Sequence, residues 1–384
     1  MRRRKTRVLH YGTLPITYSS PSFYKFIWYI ISSNNTRHFS DYYPEIFDVE
    51  YFTWTKRAVY KIDVKKVYLL DFFELVLTLI KKSIDKDIIV TLGFPAILEF
   101  IVLMFISKIR GIRIFVRDTH WYWPQTRISR FLWNIYFKLL KHVDGILCPG
   151  LASYNYWKTY GFKKVYIVHY YALEATTTEC NLDREEIRRR LGIGDDEIVI
   201  LYLGRLVKKK GLDVLILAFL KLVSEKPTFN IKLTIAGDGP ERKRLENLCN
   251  QLGLAGKVVF LGTVPEKIKK CIYKASDIFV YTPIIMEIPE EWPIAPLEAM
   301  SLGIPTIVST AVGSLPDISH GVLVVRHGDA EALYRAMKCL LENKRLQSYL
   351  SKLSLNIYTN LSNLTRIKME FLYAMLNSFR NLYR

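Results

Sequence analysis

Cysteine is scarce in this sequence and follows no pattern. Five cysteines occur in 384 residues, an odd number, and no two of them form a CxxC pair. Zinc-binding and disulfide-rich modules repeat cysteine at short, regular spacings, which this chain lacks. We therefore expect neither a zinc site nor a disulfide framework, and this cysteine usage fits a reducing compartment. The cysteines are Cys148, Cys180, Cys249, Cys271 and Cys339.

Long hydrophobic runs are also missing. The longest run, residues 94–106, is shorter than the roughly 20 residues that span a bilayer, and it contains Glu99. The basic start of the chain, residues 1–7, resembles the beginning of a signal peptide, but no apolar segment follows it. The sequence therefore predicts a cytoplasmic protein without a membrane-spanning helix.

Acidic residues are few in the first part of the chain. Residues 1–170 contain 26 Lys and Arg against 12 Asp and Glu, so +14 of the net charge of +19 lies there. Such a surface fits nucleic acid, an anionic membrane or no partner at all. No zinc finger, RNA-binding motif or basic strand interleaved with aromatic residues supports nucleic acid. A peripheral position on the inner face of a membrane fits better, because each cation near anionic lipid contributes about 1 kcal/mol.

The composition is that of a globular protein, because half of the residues are hydrophobic and 14% are aromatic. Strand-like and helix-like segments alternate along the chain, which is typical of doubly wound α/β folds, and its length fits two lobes. A polar segment, residues 172–186, reads as a linker, and residues 345–384 read as a helical tail. Two such lobes leave a cleft at the carboxyl ends of their strands, where these folds bind ligands.

The apolar spacing assigns the elements as follows. The predicted strands are 7–12, 87–93, 112–118, 144–150, 164–170, 197–204, 230–237, 257–262, 277–283 and 304–310. The predicted helices before the tail are 95–108, 129–143, 186–193, 211–225, 240–253, 265–275 and 296–302.

Two acids, Glu290 and Glu298, stand eight residues apart in a largely apolar stretch. Pro293 and Pro296 exclude a single helix through both, whereas Pro296 fits the first turn of a new helix. Glu290 then lies on a loop and Glu298 lies in the first turn, where free N–H groups attract an anion. The simpler alternative is that Glu298 only complements the helix dipole.

A basic loop links a predicted strand to a predicted helix after Gly204. It contains Arg205 and three consecutive lysines, 208–210, at the carboxyl edge of the sheet. A diphosphate fits such a place, because arginine offers a planar fork of donors and lysine offers a point charge. A solvated surface is the simpler interpretation, and we favour it for Lys208 and Lys209. For Arg205 and Lys210 these residues alone leave both interpretations open.

Four segments in this order resemble the C-terminal lobe of glycosyltransferase family 4, a group of retaining sugar transferases with the GT-B fold. The resemblance covers about residues 195–345. It implies an α/β fold with two Rossmann-like doubly wound lobes that face each other across a cleft. Residues 1–172, completed by the C-terminal helix 365–384, would be the acceptor-binding lobe, and residues 173–364 the lobe that binds the nucleotide-sugar donor. The segments are LGRLVKKKGLD (203–213), IAGDGPERKRLENL (235–248), VVFLGTVPEKIKKCIYKASDIFV (258–280) and EEWPIAPLEAMSLGIPTIVS (290–309).

The resemblance also implies roles for single residues. Glu290 would face the donor sugar, and Glu298 would hold the nucleotide ribose. Arg205 and Lys210 would bind the donor diphosphate. The backbone amides of Ile294, Ala295 and Leu297 would assist in binding the diphosphate at the start of the helix. The loop from Gly262 to Val264 would lie near the nucleotide base.

The N-terminal lobe resembles the family more loosely. His120 matches the position of an active-site histidine, and Asp118 lies beside it just past a predicted strand. The alternative is a histidine that only stabilises the loop. The Trp-Tyr-Trp run at 121–123 fits either the core or a groove for a lipid or sugar ring. Gly12 stands where many members have paired glycines, and we take His169 as structural.

The sequence departs from the family pattern in several places. Glu291 follows the first acid where glycine is common, and Glu287 is a nearby acid that competes for the same role. Ser314 stands where a second glycine is usual, and Asp317 stands where glutamate is common.

The resemblance implies a metal-independent enzyme of the hexosyltransferase type that retains the anomeric configuration. The donor would be a UDP- or GDP-linked sugar, no cofactor would be needed, and the acceptor would be a glycan or lipid-linked hydroxyl. Two alternatives stay open: a sugar-nucleotide epimerase of the same fold, and a basic protein that binds nucleic acid or membrane without catalysis.

Overall fold

The chain folds into two compact units, which we describe separately. Unit 1 comprises Met1–Tyr170 and Leu364–Arg384, and unit 2 comprises Tyr171–Asn363. The computed structural model describes residues 6–11, 47–52, 77, 79–81, 88–92, 97–123, 127–169, 180–194, 196–227, 229–286 and 289–380.

Unit 1 is built on a parallel sheet of six strands with the spatial order β2-β1-β3-β4-β5-β6. Strands β3 to β5 are apolar runs buried on both faces, as expected of a parallel sheet covered by helices. The strands are β1 (Thr6–Tyr11), β2 (Phe47–Phe52), β3 (Ile88–Leu92), β4 (Arg113–Arg117), β5 (Gly145–Cys148) and β6 (Val165–Ile167). Three helices of this unit have both ends within the described residues before 170: α1 (Ile97–Arg110), α2 (Arg127–Leu140) and α3 (Leu151–Thr159).

Aromatic side chains form much of the core of unit 1. Phe100 on α1 meets Tyr136 on α2 edge to face, with ring centroids 5.8 Å apart. Trp133 and Trp157 are fully buried beside them and stack with centroids 6.0 Å apart. Such pairs contribute about 0.5–1.5 kcal/mol beyond their buried area, so these rings hold α2 and α3 against the sheet.

Unit 2 repeats the plan with the strand order β12-β11-β10-β7-β8-β9. Its strands are β7 (Ile198–Leu203), β8 (Ile231–Ala236), β9 (Val258–Gly262), β10 (Ile278–Tyr281), β11 (Thr306–Ser309) and β12 (Leu323–Val325). Its helices are α4 (Arg184–Arg190), α5 (Leu212–Glu225), α6 (Arg242–Gln251), α7 (Glu266–Ala275), α8 (Ala295–Ser301), α9 (Leu315–Ile318), α10 (Ala330–Glu342) and α11 (Lys344–Leu361). Helix α12 (Leu364–Arg380) returns to unit 1.

The strand order of unit 2 creates a switch point. The chain proceeds from β7 outward to β9 and then starts again at β10 on the other side of β7. The connection after β7 and the connection after β10 therefore leave the sheet in opposite directions. A crevice opens between them at the carboxyl ends of these two neighbouring strands. The basic loop follows β7, and the segment with Glu290 follows β10.

Several sequence predictions need correction. The predicted helical tail consists of α11 and α12, which meet where the chain leaves unit 2. The predicted linker ended too late, since α4 already begins at Arg184, where Asp183 caps it by accepting from the N–H of Glu186. Strand β2 was overlooked although Phe47–Phe52 alternates apolar and acidic residues, and helix α3 was not predicted because Leu151–Thr159 has little apolar period.

Cys180 and Cys271 form a disulfide across 91 residues, with their Cα atoms 5.6 Å apart. The prediction that the cysteines form no covalent framework was therefore wrong, and its inference of a reducing compartment loses its basis. Short spacing patterns detect only bridges between neighbours, whereas this pair meets because α7 packs on α4. In the chain-entropy description, closing a loop of this length stabilises the fold by about 4–5 kcal/mol.

Within the described ranges, no helix has both the length and the apolar character needed to cross a membrane.

Candidate functional site

Lys210 lies in the crevice at the switch point of unit 2. It ends a short 3-10 turn, Lys208–Lys210, between β7 and α5, and it is buried, unlike the exposed Lys208. Its Nζ lies 2.8 Å from Oε2 of Glu290, donates to the hydroxyl of Tyr281 and sits 4.9 Å from the centroid of that ring. Burial lowers the pKa of Lys210 below its ordinary value, although Glu290 opposes that shift. The ammonium is therefore fixed by three contacts at the edge of the sheet.

Glu290 is the anionic partner of this lysine. Its backbone joins the segment after β11, because its carbonyl accepts from the N–H of Gly313 at 2.9 Å. Nζ of Lys209 lies 3.4 Å from Oε2 of Glu290, so Lys209 is not the purely solvated lysine that we predicted. Burial alone would raise the pKa of Glu290, but Lys210 and Lys209 outweigh burial and hold it below its ordinary value. A charged pair is thus fixed at the residue that the resemblance expects to face the donor sugar.

Two glycines permit the close backbone approach that forms this crevice. Gly211 adopts a left-handed φ of 66°, and a Cβ there would lie 2.2 Å from the carbonyl oxygen of Thr282. Gly237 has φ of 135°, and a Cβ there would lie 1.9 Å from the carbonyl oxygen of Gly204. Any side chain would push the basic loop away from β10 or β8.

Glu298 is held on α8 by two donors from α7. Tyr273 donates its hydroxyl to Oε2 at 2.7 Å, and Lys269 donates to Oε1. Burial, followed by the charge of Glu298, raises the pKa of Tyr273 well above its ordinary value, so its hydroxyl stays protonated. Both oxygens of the second predicted acid are therefore oriented by the protein.

A row of aromatic rings connects the two acids. Tyr273 meets Phe279 with centroids 5.4 Å apart, and Phe279 stacks on Tyr281 at 6.4 Å. Tyr281 in turn stacks on Tyr202 of β7 at 6.2 Å. Because Tyr273 contacts Glu298 and Tyr281 contacts Lys210, the row lies between the two charged groups.

The remaining predicted residues of unit 2 lie at the same edge of its sheet. Arg205 is exposed just after β7, and its carbonyl accepts from the hydroxyl of Tyr202 at 3.0 Å. Gly262 ends β9, and its carbonyl accepts from Gly237 at 2.7 Å. Val264 follows it on the loop to α7. The predicted backbone donors are at the start of α8: Ile294 as its N-cap, then Ala295 and Leu297.

Unit 1 contains a separate polar cluster around Asp118. This carboxylate is buried just after β4 and accepts at 2.9 Å from both the backbone N–H and Nδ1 of His120. It also accepts from the hydroxyl of Tyr136 at 2.7 Å and from Nε1 of Trp157 at 3.1 Å. Burial would raise the pKa of Asp118, but His120 and these donors hold it below its ordinary value. The carboxylate therefore fixes the orientation of the His120 ring through Nδ1.

The aromatic run beside this histidine divides between two environments. Tyr122 lies next to the His120 ring with centroids 5.6 Å apart. Trp123 stacks on Tyr160 at 5.4 Å and meets Phe137 at the margin of the core.

His169 is also buried, with Nδ1 2.9 Å from Oε1 of Glu370 on α12.

Sequence reasoning missed part of this site. Lys269 and Tyr273 were overlooked, although their spacing of four places them on one face of α7. Tyr281 looked like an ordinary buried strand residue. Gly12 and Glu287, both named from the sequence, lie outside the described residues. In the parts of the chain that the structure describes, no three His, Cys, Asp or Glu residues gather as metal ligands would.

Unit 2 is similar in sequence to known glycosyltransferases. Residues 183–355 match the family model described as glycosyl transferases group 1, and they lie inside unit 2. "Uncharacterized glycosyltransferase MJ1607" of Methanocaldococcus jannaschii is 43% identical over 147 residues, which are 38% of this chain and 36% of that protein. Alpha-monoglucosyldiacylglycerol synthase of Streptococcus pneumoniae is 28% identical over 172 residues, 44% of this chain and 38% of that protein. The matches thus span well under half of these curated relatives.

The whole fold has solved counterparts. The crystal structure of Anabaena HepE in complex with UDP is similar over 97% of this chain and 100% of that chain, with a TM-score of 0.74 and 17% identity. At this identity the likeness shows the fold alone. The predicted α/β fold of the GT-B class, with two Rossmann-like units, is confirmed.

Proposed function

We propose that this chain is a glycosyltransferase that moves a sugar from a nucleoside diphosphate to a hydroxyl acceptor. The observation that carries the proposal is the buried Lys210–Glu290 pair at the switch point of unit 2. An ammonium fixed at the carboxyl edge of a doubly wound sheet can stabilise a departing diphosphate, and a carboxylate beside it can accept from sugar hydroxyls. The match of unit 2 to the glycosyl transferases group 1 model supports this assignment.

The donor is proposed to lie along the carboxyl edge of unit 2. Lys210 and Arg205 bind the diphosphate, assisted by the backbone donors at the start of α8. Glu290 faces the sugar, Glu298 accepts from the ribose, and the loop of residues 262–264 borders the base. Because these cations neutralise the leaving group, the proposed reaction uses no metal.

The stereochemistry is proposed to be retaining. The departing phosphate takes the proton of the acceptor hydroxyl on the same face of the sugar, so the bond to the diphosphate breaks as the new glycosidic bond forms. Glu290 is then not a nucleophile. It fixes the sugar through its hydroxyls, while Lys210 and Arg205 carry the charge that develops on the phosphate.

Unit 1 is proposed to bind the acceptor, with the imidazole of His120 contacting a substrate hydroxyl. Asp118 fixes that ring and its tautomer through Nδ1. This arrangement resembles the way that a buried carboxylate orients the histidine of a catalytic triad.

A lipid-linked acceptor at an anionic membrane is the acceptor that we propose. Helix α2 has three adjacent exposed apolar residues, Phe131, Leu132 and Ile135, with exposures of 65%, 40% and 38%. Exposed Arg127 and Lys138 flank them, and the helix contains no acidic residue. Such a face suits the boundary between lipid headgroups and acyl chains. The name of the pneumococcal relative, a diacylglycerol glycosylating enzyme, points the same way.

Thermal melting with nucleotides tests the proposed donor site. We expect one series among UDP, GDP, ADP and CMP, with its sugar, to raise Tm by several degrees, because a ligand at a hundred times its Kd adds about 2.7 kcal/mol. UDP is the first choice, since HepE was solved with it. Glu298→Ala should abolish the shift. Glu331→Ala is the matched control, because Glu331 occupies the first turn of α10 as Glu298 does that of α8, but is exposed to solvent. Wild-type protein that responds to no nucleotide would refute the proposal.

Flotation with lipid vesicles tests the membrane surface. At low salt the protein should float with phosphatidylserine vesicles and should stay behind with neutral phosphatidylcholine vesicles. Salt at about 1 M should release it, because the Debye length then falls to about 3 Å. Phe131→Ser should weaken binding, whereas Tyr349→Ser, an exposed aromatic residue of α11 in unit 2, should not. The absence of binding to anionic vesicles at low salt would count against a membrane acceptor.

A further inference from the structure

Lys269 and Tyr273 form a clamp on Glu298, and neither has a role in the function proposed above. They lie four residues apart on one face of α7 and each donates to a different carboxylate oxygen. Lys269 also lies 3.8 Å from Glu266 one turn earlier. Tyr273 additionally reaches the carbonyl of Ala295, 3.2 Å away, at the start of α8. The carboxylate is therefore held from both sides by one helix.

This arrangement orients the carboxylate of Glu298 but does not use all of its hydrogen-bond acceptor sites. A carboxylate has about four lone-pair sites, of which the clamp uses two. The side chain of Glu298 is 9% exposed and that of Lys269 is 21% exposed, so the carboxylate is largely buried while the lysine lies nearer to solvent. A buried acid with a single fixed geometry and unused acceptor sites suits a ligand that presents two neighbouring hydroxyl donors.

We propose that Lys269 is the positioning residue that sets Glu298 to bind the vicinal hydroxyls of a ribose and thereby selects ribonucleotides over 2′-deoxyribonucleotides. The inference rests on the proposed function, which gives Glu298 the ribose. A vicinal diol donates two parallel hydrogen bonds to the two carboxylate oxygens only if the carboxylate plane is fixed. Lys269 fixes that plane from one side by donating to Oε1.

A purely structural role for Lys269 predicts a different outcome. If the lysine only joined α7 to α8, its loss would weaken every nucleotide equally by loosening the crevice. A positioning role acts on the ribose alone. The ratio of affinities for a ribonucleoside diphosphate and its 2′-deoxy analogue therefore separates the two roles.

Calorimetric titration of the full chain provides this ratio for the nucleoside diphosphate that shifts Tm. We expect the wild type to favour the ribose form by about 10- to 100-fold, as for a lost hydrogen bond to a charged group. In Lys269→Met, which keeps the apolar stem, the ratio should fall to within about threefold of unity, because the deoxy form, which has only the 3′-hydroxyl, should lose much less affinity than the ribose form. Lys267→Met, an exposed lysine on the same helix, should behave as the wild type.

Tyr273→Phe gives an independent second variant, because it removes the other donor and keeps the ring in its aromatic row. Its ratio should fall in the same direction. An unchanged ratio in Lys269→Met, or equal losses for both ligands, would overturn the positioning role while the proposed donor site stands. A wild type that binds no nucleoside diphosphate would overturn both.

Discussion

Lys210→Ala is expected to lower kcat by about 10²- to 10³-fold, the loss seen when one preorganised donor to a developing negative charge is removed. The structure supplies the physical reason. The ammonium is buried, fixed by Glu290 and Tyr281, and therefore needs no reorganisation when charge develops on a departing phosphate. Donor binding should weaken less than kcat, because the diphosphate is already anionic in the ground state but gains charge on the reacting phosphate as the sugar bond breaks. Steady-state kinetics with the donor identified by melting would measure both.

Two further variants separate catalysis from folding. Removing Lys210 alone leaves the buried Glu290 without its nearer cation, and breaking a buried pair costs about 3–5 kcal/mol. The double variant Lys210→Met with Glu290→Gln removes both charges, so it should recover stability in a melting experiment while remaining inactive. Lys208→Ala, an exposed lysine of the same turn, should keep the wild-type rate. A normal kcat in folded Lys210→Ala would remove Lys210 from the site.

The sequence indicated which segments form the candidate site, but it did not indicate which side chains contact each other there. Glycine, proline and charge drew attention to the two acids and to the basic loop, because a doubly wound sheet brings the carboxyl ends of its strands to one edge. The family resemblance then singled out Lys210 and implied the roles of Glu290 and Glu298. Which acid meets which cation depends on side-chain geometry after folding. Lys209 was therefore assigned to solvent although it lies 3.4 Å from Glu290, and Lys269 was not considered at all.

The disulfide is a second feature that local sequence patterns did not reveal. Cys180 and Cys271 carry no local signal, since each stands alone in its segment. Their pairing requires that α4 and α7 pack together, and that packing is itself supported by Arg188, which donates to the carbonyl of Ala275 at 3.0 Å. Spacing rules cannot report a contact that arises only from the tertiary fold.

His120→Ala is expected to lower kcat by about 10²- to 10³-fold, comparable to the loss of one oriented hydrogen-bonding group in the transition state. Its effect should differ from that of Lys210→Ala in one respect. All residues that we propose to bind the nucleotide lie in unit 2, whereas His120 lies in unit 1, so nucleotide affinity should be unchanged. Activity assays and nucleotide melting shifts on the same preparation would show this separation.

His169 offers a matched control, because it repeats the local chemistry of His120 without a proposed role. Both histidines are buried in unit 1, and both place Nδ1 2.9 Å from a carboxylate oxygen, of Asp118 in one case and of Glu370 in the other. His169→Ala should lower Tm but retain the wild-type kcat per folded molecule. Equal losses of kcat in the two variants would assign both histidines to folding. A parallel loss of nucleotide binding in His120→Ala would contradict the assignment of this histidine to the acceptor, whereas a selective loss of kcat would support it.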